Sequence, residues 1–143
     1  MTADPKRSVR LDWAGTGLKF HGGGTHPETP SIEIDGDNAT APGPMLVLLL
    51  AAAGCTSADV VLVLEKMRVQ LTSLSVEAEG VRRDEDPRRY DAIHFRYRIS
   101  GSGLDDEKAQ RAVSLSVEKY CSVMHTLAPD IAISYDVEIG GGA

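Results

Sequence analysis

From Met45 to Cys55 the chain carries no charged side chain, and Leu46, Val47, Leu48, Leu49 and Leu50 follow one another without a polar break. A helix built from that run is apolar nearly all round, so a sheet packed on one side leaves the opposite face in water. Such a helix needs a second cover. Its start is set by Ala41-Pro42-Gly43-Pro44, because Pro44 has a fixed φ and lacks an amide proton that a first helical position does not use. The uncharged run is shorter than the roughly 20 residues of a membrane span. Thr56, Ser57 and Asp59 interrupt its continuation toward Leu64, so the expectation is a buried core helix and no membrane.

Elsewhere the chain alternates. Ile131, Ile133, Tyr135, Val137 and Ile139 share a face, as do Ile93, Phe95, Tyr97 and Ile99, with His94, Arg96 and Arg98 opposite. That period of two marks half-buried strands. A shorter run through Leu74, Val76 and Ala78 is expected to pair with 93–99 as a hairpin. The connection Arg82–Arg89 is charged and mixed in sign, which suits a solvated loop. Ahead of the apolar helix, Val9, Leu11 and Trp13, then Leu18 and Phe20, then Ile32 and Ile34 mark three short strands. Gly22-Gly23-Gly24 lacks the Lys-Ser or Lys-Thr of a phosphate loop and reads as a flexible turn.

Asp105 to Leu127 reads as one helix with Ala109, Ala112, Val113, Val117, Tyr120, Cys121, Met124 and Leu127 on a broad face. Asp105, Asp106 and Glu107 suit its positive end, and Pro129 follows its close. The order is three strands, helix, two strands, helix, strand. That is an α+β arrangement in a single domain, 1–143. The helix that needs two covers predicts an obligate homodimer, with the helix buried between two sheets.

With 21 acidic against 15 basic side chains the formal charge is −6, which argues against binding nucleic acid through its phosphates. Met1 to Arg10 is polar, without the apolar core of a secretory leader, so a cytoplasmic protein is expected. Cys55 and Cys121 are the only cysteines. Each falls inside a helix candidate, poorly placed for a zinc ligand set and well placed for a redox pair in a reducing compartment.

Ala-Pro-Gly-Pro-Met at 41–45, Leu-Leu-Leu-Ala-Ala-Ala-Gly-Cys-Thr-Ser-Ala-Asp-Val-Val at 48–61 and Ser-Val-Glu-Lys-Tyr-Cys-Ser-Val at 116–123 resemble the OsmC/Ohr superfamily, most closely its OsmC-like branch. The resemblance implies two antiparallel sheets wrapped around central helices in an intertwined homodimer. It also implies a thiol-dependent peroxidase that reduces organic hydroperoxides in the oxidative stress response, without a cofactor and with a dithiol reductant as partner. Carried onto this chain, it makes Cys55 the peroxidatic thiol and Cys121 the resolving thiol.

Peroxidases of that superfamily use an arginine to stabilise the thiolate and a glutamate to hold the arginine. Here the positions nine and ten before Cys55 are Leu46 and Met45, and no arginine occurs between Arg10 and Arg68. Arg10, Lys19, His21 and His26 are the cations of the front segment, and His125 lies one helical turn after Cys121 as a candidate base. Cys121 and His125 supply only half a metal site, so no metal is expected. Asp59, one turn after Cys55, opposes thiolate formation and suits a cap or a pair across the dimer. Phe20, Met45 and Met124, with Trp13 and Met67, are core by default and candidates to line a pocket. A second reading is a non-catalytic dimer that binds or senses a hydrophobic small molecule.

Overall fold

The computed structural model describes residues 5–140, which fall into two compact units divided between Leu48 and Leu49. In the first unit, β1 (Val9–Trp13), β2 (Lys19–Gly24) and β3 (Ser31–Asp35) form an antiparallel sheet in that order. The turn from β1 to β2 holds Gly15 and Gly17 at φ of 91° and 53°, a region that a Cβ disfavours. Gly22, Gly23 and Gly24 are not the flexible turn expected of them but the paired end of β2. Close approach explains the residue type: a Cβ on Gly22 would run into the Arg10 carbonyl oxygen, and one on Gly23 into that of Pro30.

Asp35 closes β3 and shapes the loop that follows. Its carboxylate accepts from the amides of Asp37, Ala39 and Thr40 at 2.9, 3.2 and 2.9 Å and from the Thr40 hydroxyl at 3.0 Å. These donors, the Thr40 and Asp37 amides foremost, hold its pKa down to about 2. The Asn38 side chain then accepts from the Gly43 amide at 2.7 Å, and α1 (Pro44–Lys66) begins where Pro44 requires it.

Along α1 the buried residues are Leu49, Ala52, Thr56, Val60 and Leu64, three and four apart and therefore one stripe. Leu46, Leu50 and Leu62 lie off that stripe and are 47%, 60% and 56% exposed. Within one chain the helix is covered on one side only.

In the second unit, β4 (Gln70–Arg82) and β5 (Tyr90–Ser102) form the expected hairpin, with Val76 opposite Tyr97 and Ala78 opposite Phe95. Ile93, Phe95, Tyr97 and Ile99 are buried while Arg96 and Arg98 are exposed. β6 (Ala132–Ile139) joins the other edge of β5 in parallel, Tyr135 beside Phe95. This sheet is mixed, where an antiparallel one was expected. The crossover between β5 and β6 is long and helical, which returns the chain to the end from which β5 started.

That crossover is not the single helix expected from Asp105 to Leu127. It consists of α2 (Asp106–Leu115), a π-helical turn (Ser116–Tyr120) and α3 (Ser122–Thr126). Asp105 caps α2 by accepting from the Lys108 amide at 2.8 Å. Cys121 separates the last two pieces with an extended backbone, φ −70° and ψ 112°. Ala109, Ala112, Val113, Val117 and Cys121 are buried as expected. Tyr120 is 51% exposed instead, because the wider π turn moves it off the inner face.

Candidate thiol site

Cys55 and Asp59 stand four residues apart on α1 and so share a face. Cys121 is delivered to that face by the irregular backbone before it. Its amide donates to the Ser116 carbonyl five residues back at 2.8 Å, and the extended step that follows lets its sulfur cap α3, accepting from the Met124 amide at 3.4 Å. The result is a compact cluster: the Sγ atoms of Cys55 and Cys121 and a carboxylate oxygen of Asp59 all lie within 4.8 Å of one another. Both thiols are free, Cys55 half-buried and Cys121 wholly buried.

Three polar residues fix the cluster. The Ser116 hydroxyl lies 2.8 Å from Asp59 Oδ2 and 3.2 Å from the Thr56 carbonyl oxygen, so it shares one proton between two acceptors on α1. Thr56 is buried; its Oγ1 donates to the Ala53 carbonyl at 3.1 Å and accepts from the Tyr97 hydroxyl at 2.7 Å. The sheet is thereby tied to α1 one residue from Cys55. Burial pushes the Cys121 thiol up to about 11, with the Met124 amide opposing the rise and neighbouring Cys55 adding to it. Tyr97 is pushed up to about 12, again mainly by burial.

Asp59 lies within α1 and caps neither of its ends; its Oδ2 accepts from Ser116 of its own chain. Among the described residues no cation forms an ion pair with it. It also lines an open groove of about 640 Å³. Leu62, Val63, Met67 and Leu115 supply apolar lining there, and Lys66, Arg111 and Tyr120 supply polar groups.

The other candidate residues belong to several elements. Arg10, Lys19, His21 and His26 belong to the first unit, where Arg10 Nε binds Asp12 at 3.3 Å and the His26 Nδ1 accepts from the Glu28 amide. His125 sits in the last turn of α3 with its side chain exposed, whereas the Cys121 thiol is buried. Cys121 is the N-cap of α3, and the His125 amide donates to its carbonyl at 3.1 Å. Phe20, Met45 and Met124 are half-buried, and of the apolar candidates Met67 lines the groove. Sequence reasoning missed Ser116, Thr56 and Tyr97. A serine in the middle of the apolar stripe of 109–127 was the available signal.

The family model for OsmC-like protein matches residues 35–136, across the boundary of both units. The chain belongs to the OsmC-like family. Protein YhfA of Escherichia coli K12 is 37% identical to this OsmC-like chain over 132 residues, covering 92% of it and 96% of YhfA. A hypothetical protein from Aquifex aeolicus VF5 superposes with a TM-score of 0.80 at 25% identity, over 96% of this chain and 99% of that one. An organic hydroperoxide resistance protein from Legionella pneumophila superposes with a TM-score of 0.66 at 14% identity, over 96% and 99% of the two chains, and shares the fold. The OsmC-like fold accounts for the element order.

Proposed function

We propose that this OsmC-like protein is a cytoplasmic homodimeric thiol peroxidase for organic hydroperoxides, with Cys55 as the attacking thiol and Cys121 as the resolving one. The two units act in it as one domain. The convergence of two free sulfurs within 4.8 Å carries the reading. A disulfide needs an S–S distance of about 2.05 Å, which side-chain rotation and a small local shift supply from there.

Burial supports these roles. Attack on a peroxide needs a thiolate, and Cys121, wholly buried with its pKa pushed up to about 11, is a thiol at neutral pH. Half-buried Cys55 is the sulfur a substrate can reach. The Cys55 thiolate attacks the distal oxygen, the O–O bond breaks and an alcohol leaves after taking up a proton, which oxidises Cys55 to a sulfenic acid. The Cys121 sulfur then attacks Cys55, water departs and a disulfide remains. A dithiol reductant returns both thiols and leaves as its own disulfide. The groove beside Asp59 supports an organic rather than an inorganic peroxide, because its apolar lining suits an alkyl or aryl group.

The test is consumption of tert-butyl and cumene hydroperoxide with a dithiol reductant. Cys55→Ser is expected to abolish turnover, and Cys121→Ser, mixed with peroxide before any dithiol is added, to consume one equivalent and leave a trappable sulfenic acid at Cys55. Equal consumption by the wild type and Cys55→Ser would sink the peroxidase. The groove, together with Met45 and Leu46 where a thiolate-activating system would hold a carboxylate, would then favour a non-catalytic dimer that binds a hydrophobic small molecule.

A further inference from the structure

The cluster holds more than a redox pair. Two thiols and a carboxylate converge on one point, and the carboxylate has no cationic partner among the described residues. We propose that Cys55, Asp59 and Cys121 form a binding site for a thiophilic divalent cation of the Zn²⁺ class. The inference uses the geometry of the reduced protein and does not rest on peroxidase activity.

Donor spacing supports it. In a tetrahedral site with bonds of about 2.0–2.3 Å, neighbouring donor atoms stand about 3.3–3.8 Å apart. The three donors here lie within 4.8 Å, so rotation of side chains by a fraction of that distance closes the ring. Cys55 and Asp59 present two ligands from one helix face at i and i+4, and Cys121 supplies the third from a separate segment. Two sulfurs with one carboxylate select a borderline-soft ion over Mg²⁺ or Ca²⁺, which prefer all-oxygen sites.

The surroundings resemble the outer support that such ligands use. Ser116 Oγ, itself buried, donates to Asp59 Oδ2 at 2.8 Å and leaves the other carboxylate oxygen available. The Met124 amide points at the Cys121 sulfur at 3.4 Å, a contact that strengthens when that sulfur becomes a thiolate. Binding replaces the two thiol protons: one M²⁺ enters, two H⁺ leave to solvent, and no electron moves. Three protein ligands leave a fourth position for water. Metal and disulfide are then alternative states of the same two sulfurs, so the ion guards them against oxidation while it is bound.

The test is titration of the reduced full chain with Co²⁺ alone, followed by displacement with Zn²⁺, in the absence of any peroxide. Expected are one ion per chain, a thiolate-to-cobalt charge-transfer band in the near ultraviolet, and visible bands of tetrahedral intensity that Zn²⁺ abolishes. Cys121→Ser is expected to remove about half of the charge-transfer intensity. Ser116→Ala, by freeing the carboxylate, is expected to weaken Zn²⁺ binding roughly 10-fold. If Cys121→Ser disturbs the fold by circular dichroism, Cys55→Ser at the half-buried position carries the same comparison. A weak octahedral spectrum without charge transfer, or a spectrum unchanged by loss of either cysteine, overturns the site.

Discussion

Two sulfurs at the same site are given different chemistry by their surroundings. Cys121 has lost all contact with water and the Met124 and Val123 amides offset only part of that cost, which is why its thiol form is favoured. A raised folded-state pKa ties stability to pH. The folded state keeps its full advantage below the ordinary thiol value of 9.0 and loses it as pH climbs toward about 11. The urea midpoint of the reduced protein is therefore expected to fall from pH 9 upward, with a shallower fall between pH 9 and 10 in Cys121→Ser. What remains above pH 10 in the variant belongs to the tyrosines that burial raises, Tyr97 to about 12 and Tyr90 and Tyr135 in the same direction. Identical slopes in the two proteins would remove burial as the cause. The two cysteines were legible in the sequence as a pair, but Asp59 was not legible as the third member. Its partner Ser116 lies on another element, and no local pattern announces a hydrogen bond of that reach.

At the scale of elements, legibility followed how local the cause was. Pro44 and the uncharged run after it place α1 directly, and alternation places the β4–β5 hairpin. The π turn at Ser116–Tyr120 escaped because the helical period continues through it without a glycine or proline. What stabilises it is tertiary: the Ser116 hydroxyl is taken by α1. Gly22 to Gly24 escaped for the same reason, since the close backbones that demand glycine come from β1 and from the segment ahead of β3. The contact between β5 and α1 is the element-level tie with the clearest consequence for the site. Tyr97→Phe deletes the 2.7 Å bond to Thr56 Oγ1 and leaves that buried oxygen with its one bond to Ala53. A net loss of about 0.5–1.5 kcal/mol is expected from urea denaturation. The proposed peroxide turnover should fall only modestly, because the buried ring still fills the core beside Thr56. A loss of turnover without loss of stability would instead place the tyrosine hydroxyl in the chemistry.

For the molecule as a whole, the unsatisfied feature is α1. It is long and apolar enough to cross a membrane by length and composition, yet one stripe of it is committed to the protein and carries Thr56 and, beside it, Asp59 held by Ser116. The exposed leucines on its remaining surface, and exposed Val9, Leu11, Trp13 and Ile32 on the first sheet, are apolar area that a second copy of the chain can cover. A two-fold dimer counts every substitution twice. Leu50 and Leu62 are a little over half exposed, so covering what remains of each contributes about 1–2 kcal/mol. Leu50→Glu with Leu62→Glu therefore removes roughly 4–8 kcal/mol per dimer, about three or more powers of ten in dissociation constant. Sedimentation at micromolar concentration is expected to show a dimer for the wild type and a monomer for the double variant. Both proteins should keep their helical circular dichroism, since neither leucine lies on the buried stripe. A wild type that sediments as a monomer would leave the apolar face without its cover and overturn the dimer.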